Sequence, residues 1–287
     1  MSSEQGSKNL GSYLLVAPTL VVVVVFLVLP LLLVLRVSFL HHVPLGYTNQ
    51  PTLENYGFVF TNEGVRNTLA FTLETASIVT AVSLLLAYPV AYFLARKVKS
   101  FTLKTGFLVF LLIPFWIDFT TRSLAWIPWL GTQGIINDAL LAIGAINQPA
   151  TIFLYSSFAM DLVMVQAYTL FMVAPLFISM SKIDPILYEA AQTLGASRLR
   201  TFLHINLRLT LPGMGIGCVF VFLSSLADFA TPKLIGGLVT SIGELIKDNV
   251  TFINLPNASA ISALVVVIAL AVLVLTFRLT HVEQIFE

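Results

Sequence analysis

"YEAAQTLGASRLRTF", residues 188–202, is polar and rich in small residues, yet it lies between two long apolar stretches. Local signals give it a shape. Asp184 is suited to cap a helix and Pro185 to its first turn. Leu187, Ala190, Ala191 and Leu194 recur at helical spacing. Gly195 suits the left-handed conformation that ends many helices, and Ser197 suits the cap of the next one. The spacing predicts a helix of about ten residues, roughly 15 Å long. Its alanine-rich side admits close approach by a partner. A membrane-surface connector carries the same pattern, so the pattern alone leaves both readings open.

The rest of the chain decides where this stretch sits. Of 287 residues, 57% are hydrophobic and 10% are charged, and the mean hydropathy is +0.93. Soluble domains carry about 25% charged residues, so no water-facing surface is built from this composition. The net charge of +1 argues against a nucleic-acid partner. The single cysteine, Cys218, argues against a disulfide framework or a zinc cluster. A bilayer crossing takes roughly 20 apolar residues. Six stretches qualify, at 12–35, 67–94, 105–126, 157–180, 209–230 and 258–279. The first is too long for a signal-peptide core and reads as a retained span.

The predicted fold is all-α and integral to the membrane, with six transmembrane helices. The bias of lysine and arginine sets its orientation. With the N-terminus inside, Lys8, Arg96, Lys97, Lys99, Lys104, Lys182, Arg198, Arg200, Arg208 and Arg278 face the cytoplasm. Arg36, Arg66, Arg122, Lys233 and Lys247 face outward. Both termini are then cytoplasmic, as short tails at 1–11 and 281–287 around a domain at 12–280. The loop at about 182–208 faces the cytoplasm. Trp126 and Trp129 mark the outer end of the third span. "GIINDALLAIGAI", residues 134–146, predicts a short helix on the outer membrane surface.

Glu189-Ala190-Ala191, followed by Gly195 and then Ile205, resembles the EAA loop of ABC-importer permeases, which also places this loop between spans four and five. Further segments resemble the spermidine/putrescine branch of that family. They are "VSFL" (37–40), "TLENY" (52–56), "YPVAYFLAR" (88–96), "IPFW" (113–116), "RSLAW" (122–126), "APLFISMSKID" (174–184) and "ATPKLIGG" (230–237). The chain departs from the family at Arg208, where a proline usually follows the loop, and at Asn254-Leu255-Pro256, where the family has "DWP".

The resemblance implies the type I importer permease fold in a bacterial inner membrane. It implies that Glu189, Ala190, Ala191, Gly195 and Arg198 couple the chain to an ATPase subunit present in two copies. A second, similar permease and a periplasmic or lipid-anchored solute-binding protein are implied too. ATP and magnesium would be held by the ATPase, because no Walker-A motif occurs here. The chain is expected to bind no cofactor or metal of its own and to have no catalytic residues. Its surroundings would be membrane lipid.

Four carboxylates fall in the outer half of the expected spans: Glu74, Asp118, Asp161 and Asp228. Charges at such depth are costly and usually face a cavity or a partner. Asp118 also stands four residues before Arg122, the spacing of a helical ion pair. Asp161, Val165 and Tyr168 share one helical face, and Ser224, Ser225 and Asp228 another. Acids hold ammonium groups by charge-assisted hydrogen bonds and aromatic rings hold them by cation–π contact. Asp118, Asp161, Tyr168, Ser225 and Asp228 are therefore the expected path of a small organic cation, and the resemblance points to a polyamine. Ferric iron, thiamine, an aminophosphonate or sulfate are the rival cargoes, and a non-transporting scaffold is the rival class. Gly213 and Gly217 form a close-packing G-x-x-x-G, which serves either this subunit or a contact with a second one.

Overall fold

The computed structural model describes residues 17–44 and 46–280. The tails expected at 1–11 and 281–287, and residues 12–16 of the first expected span, lie outside the described residues. In chain order the elements begin with helix α1 (Ala17–Val37), strands β1 (Leu40–Val43) and β2 (Gly46–Pro51), and α2 (Glu54–Thr61). Then come α3 (Glu63–Lys97), α4 (Phe101–Leu112), α5 (Phe119–Ala125), α6 (Ile127–Leu130), α7 (Ile135–Ala142) and α8 (Ser157–Ser181). The chain continues through α9 (Pro185–Thr193) and the bent pair α10 (Arg198–Leu207) and α11 (Leu211–Ala227). It closes with α12 (Ala230–Ile235), α13 (Ile242–Thr251) and α14 (Leu255–Thr280).

Residues 17–62 with 246–266 form one compact unit, and 63–245 with 267–280 form the other. In the first, the stretch after α1 departs from the expected all-α fold. It folds into an antiparallel hairpin in which His41 pairs with Thr48 and His42 with Tyr47. The buried amide of Asn55 pins its base, donating to the carbonyls of Ser38 at 2.9 Å and Leu40 at 2.8 Å.

The second unit is built on α3, α8 and α11. Lipid supplies no hydrophobic drive between helices, so they associate through close packing. Ala87, Ala91, Met164, Met172, Leu176 and Val221 form the buried centre. A Cβ on Gly213 would lie 2.5 Å from the Cβ of Ser179, and one on Gly217 would lie 2.4 Å from the sulfur of Met172. The G-x-x-x-G thus packs α11 against α8 within one subunit. Helices α3 and α8 run parallel, since Ser83 meets Thr169 and Arg96 meets Ile183.

Helices α1, α3, α8 and α14 are long and apolar enough to cross a membrane, and α10–α11, bent by 64°, makes a fifth if taken as one span. The stretch expected as the third span is broken. Pro114 lies in a 3-10 turn at Ile113–Trp116. Asp118 then starts a new helix, its Oδ2 accepting from the amides of Thr120 at 2.9 Å and Thr121 at 3.3 Å. Within the stretch 134–146, expected to hold a short helix, α7 covers Ile135–Ala142.

Candidate functional site

The opening stretch folds as its local signals dictate. Asp184 accepts from the amide of Ile186 at 2.9 Å and caps α9. Gly195 has φ +77° and ends it, while its amide and that of Ala196 donate to Gln192 and Ala191 at 2.9 Å each. Ser197 accepts from the amide of Arg200 at 3.3 Å and caps α10. Glu189, Ala190, Gly195 and Arg198 are exposed and Ala191 is half-buried. Leu194 is 87% exposed, and Ile186 and Leu199 are exposed as well. The segment therefore offers apolar side chains beside small residues, a surface that a protein partner can cover.

The expected path residues gather at the other end of the helical core. Tyr168 is buried, and its hydroxyl donates to Asp228 Oδ2 at 2.8 Å. Asp228 Oδ1 accepts from the amides of Ala230 at 2.9 Å and Thr231 at 3.0 Å. Its own carbonyl accepts from the Ser241 hydroxyl at 2.8 Å. Asp228 thus caps α12 and holds α8 to the segment after α11. Ser225 is buried, and its hydroxyl has no hydrogen-bond partner among the described residues. Asp161 is half-buried, with an Oδ1 that also lacks one, and Glu74 on α3 is close enough for the two charges to be felt. Asp118 is exposed and serves as the α5 cap already described.

The ion pair that the spacing of Asp118 and Arg122 permits is not made. Arg122 turns inward instead. Its Cζ lies 4.5 Å over the Phe119 ring, and the residue is 8% exposed. None of its guanidinium nitrogens has a hydrogen-bond partner among the described residues, although Tyr168, Asp228 and Asp118 are within electrostatic reach. Sequence reasoning set this arginine at the outer end of the third span, as a candidate ion-pair partner of Asp118. The signal against that was Asp118-Phe119-Thr120-Thr121, a capping pattern that occupies the acid. Nearby, Lys233 pairs with the buried Glu244 at 3.0 Å. No group of three or more metal-ligating side chains occurs among the described residues, and His41 bonds Glu54 at 2.9 Å.

No protein-family model matches the chain. It is 35% identical over 257 residues to the spermidine/putrescine transport system permease protein PotB of Escherichia coli (strain K12), covering 88% of this chain and 91% of that protein. The chain belongs to the ABC-transporter permease family. To the PotB of Salmonella typhimurium (strain SL1344) the permease is 35% identical over 234 residues, which span 81% of it and 79% of that relative. Its fold matches a chain of the crystal structure of a bacterial alginate ABC transporter in complex with an alginate pentasaccharide-bound periplasmic protein. There the TM-score is 0.77 at 16% identity, with 96% of this chain and 95% of that chain covered. That likeness shows the fold. The permease is an integral membrane protein, and ATP hydrolysis lies on a partner subunit.

Proposed function

We propose that this permease imports a polyamine such as spermidine or putrescine by alternating access. Two copies of an ATPase subunit close on ATP, and the exposed helix α9 carries their movement into the spans. A second, similar permease completes the path, and a solute-binding protein delivers the cargo from outside. The observation that carries the proposal is the 35% identity, over most of both chains, to a permease protein of a spermidine/putrescine transport system. The electrostatic proximity of Asp161 on α8 to Glu74 on α3 supports it, because two carboxylates with no base bonded to them among the described residues suit a dication. Asp228 enters this picture as a support for the path's wall, through Tyr168 and α12.

The membrane domain spans 12–280 with six crossings and both termini cytoplasmic. Parallel α3 and α8 require the chain between them to return once, a crossing made in pieces by α4, the 3-10 turn and α5. Thr280, at the end of α14, packs on Gly215 near the start of α11, so the C-terminal end lies at the α9 end of the second unit. In intact cells an impermeant thiol reagent is expected to label Leu238→Cys, which is fully exposed, and to reach Lys99→Cys only after permeabilisation. The cargo is tested by uptake of labelled spermidine and putrescine in cells carrying the whole transporter. Uptake of an anion or a metal, with no polyamine moved, overturns the cargo assignment.

A further inference from the structure

Behind α9 the helices are joined by a directional chain of hydrogen bonds. Arg96 Nη2, at the end of α3, donates to the Tyr188 hydroxyl at 2.8 Å and to the Ile183 carbonyl at 3.1 Å. The guanidinium also lies 4.2 Å over the Tyr188 ring. The Tyr188 hydroxyl donates to Asn206 Oδ1 at 2.6 Å, and Asn206 Nδ2 donates to the Tyr88 hydroxyl at 2.9 Å. Tyr88 lies 3.2 Å from the Thr210 hydroxyl, which donates back to the Asn206 carbonyl at 2.8 Å. Burial pushes the Tyr188 phenol up, against the pull of Arg96, so it stays protonated and keeps its donor role.

Three features set this chain apart from ordinary packing. Asn206 is fully buried, where an apolar residue would pack without needing partners. The chain ties Tyr188 of α9 to Tyr88 of α3, to Asn206 in α10 and to Thr210 at the 64° break between α10 and α11. Its anchors also lie in or beside irregular helix: Arg96 in a π-helical turn at Phe93–Lys97 and Asn206 in another at Phe202–Leu207. Such turns recur at functional sites, and mid-helix irregularities often mark hinges. Phe202, in the second turn, meets the rings of Tyr88 and Tyr92 edge-on at 5.6 Å and 6.2 Å.

We propose that this chain is the strut by which α9 moves the bent pair α10–α11, and that Tyr188 and Asn206 are positioning residues for transport, a role that rests on the docking of α9 proposed above. A hydrogen bond of 2.6 Å is lost within about 1 Å of stretch. A displacement of α9 therefore either drags Asn206, and the bend with it, or breaks the chain. Beyond Arg96 the partners are neutral, which suits this work, since each bond polarises the next without the desolvation cost of a buried ion pair.

The test uses the whole transporter in lipid vesicles with spermidine-loaded binding protein, and three variants: Tyr188→Phe, Asn206→Leu and the two combined. Tyr188→Phe keeps the ring under Arg96 and deletes only the hydroxyl. Each single variant is expected to lower the loaded protein's stimulation of ATP hydrolysis about five- to tenfold, the scale of one or two hydrogen bonds, while basal hydrolysis persists. The combined variant leaves neither member of the Tyr188–Asn206 bond to go unsatisfied, so its thermal stability is expected to match or exceed that of Tyr188→Phe, while hydrolysis stays uncoupled. Crosslinking of Ala191→Cys to the ATPase separates the two levels. No crosslink removes the docking of α9 and the strut with it. A crosslink with normal stimulation in both single variants overturns the strut alone. Stimulation regained in the combined variant reduces the chain to a stabilising contact and also overturns it.

Discussion

The two ends of the α3–α8–α11 core handle polar groups in opposite ways. Near α9, the neutral side chains of Tyr188, Asn206, Tyr88 and Thr210 are bonded to one another in sequence behind a single charge, Arg96, which donates to Tyr188. Near α12 most of the groups are charged and only partly satisfied: Asp228 is saturated, but among the described residues Asp161 Oδ1, the Arg122 guanidinium and the neutral Ser225 hydroxyl have no hydrogen-bond partner. A buried polar group without a partner costs about 1–3 kcal/mol, so several of them together call for an explanation, and binding of cargo is one. The difference fits the division of labour proposed above, in which one end would transmit movement through a connected network and the other would hold charge for cargo.

Substitutions that treat similar residues unequally sharpen this contrast. The largest effect is expected for Asp161→Asn. Losing one charge-assisted hydrogen bond worth about 1.5–3 kcal/mol should lower spermidine uptake roughly ten- to a hundredfold at normal expression. Asp228→Asn should act on the fold instead, because its carboxylate accepts two amides and the Tyr168 hydroxyl. A loss of about 1–3 kcal/mol is expected, read as lower yield and melting temperature with uptake per molecule nearly kept. If both variants lose uptake alone, the distinction between them fails. At the α9 end, Gly195→Ile forces a β-branched residue to φ +77°, at a cost of about 1–2 kcal/mol. Stimulated hydrolysis should fall up to about tenfold, and Gly195→Asn, which tolerates that region, should fall far less. Asp118→Ala removes only a helix cap and should cost about 1 kcal/mol of stability, with no change in uptake.

How much of this was legible in the sequence followed how local the signal was. Asp184, Pro185, Gly195 and Ser197 act on neighbours within a few residues, so α9 and its ends are where the sequence puts them. The hydropathy of α1, α3, α8 and α14 marked long apolar helices for the same reason. The third expected span was less legible, since hydropathy averages over Pro114 and Asp118 while the backbone breaks at both. Burial of Arg122 and the Tyr188–Asn206–Tyr88 chain was not legible. It depends on which helices meet, with partners 18 and 118 residues apart. Nothing in the local pattern around Tyr188, Asn206 or Thr210 marks them as one another's partners.

The division of labour is tested most directly by measuring ATP hydrolysis and labelled-spermidine uptake together, in vesicles holding the whole transporter with either Asp161→Asn or Tyr188→Phe. Asp161→Asn should lose uptake while loaded binding protein still stimulates hydrolysis, and Tyr188→Phe should lose that stimulation. Both variants losing stimulation to the same extent, or neither losing it while both lose uptake equally, would contradict the account.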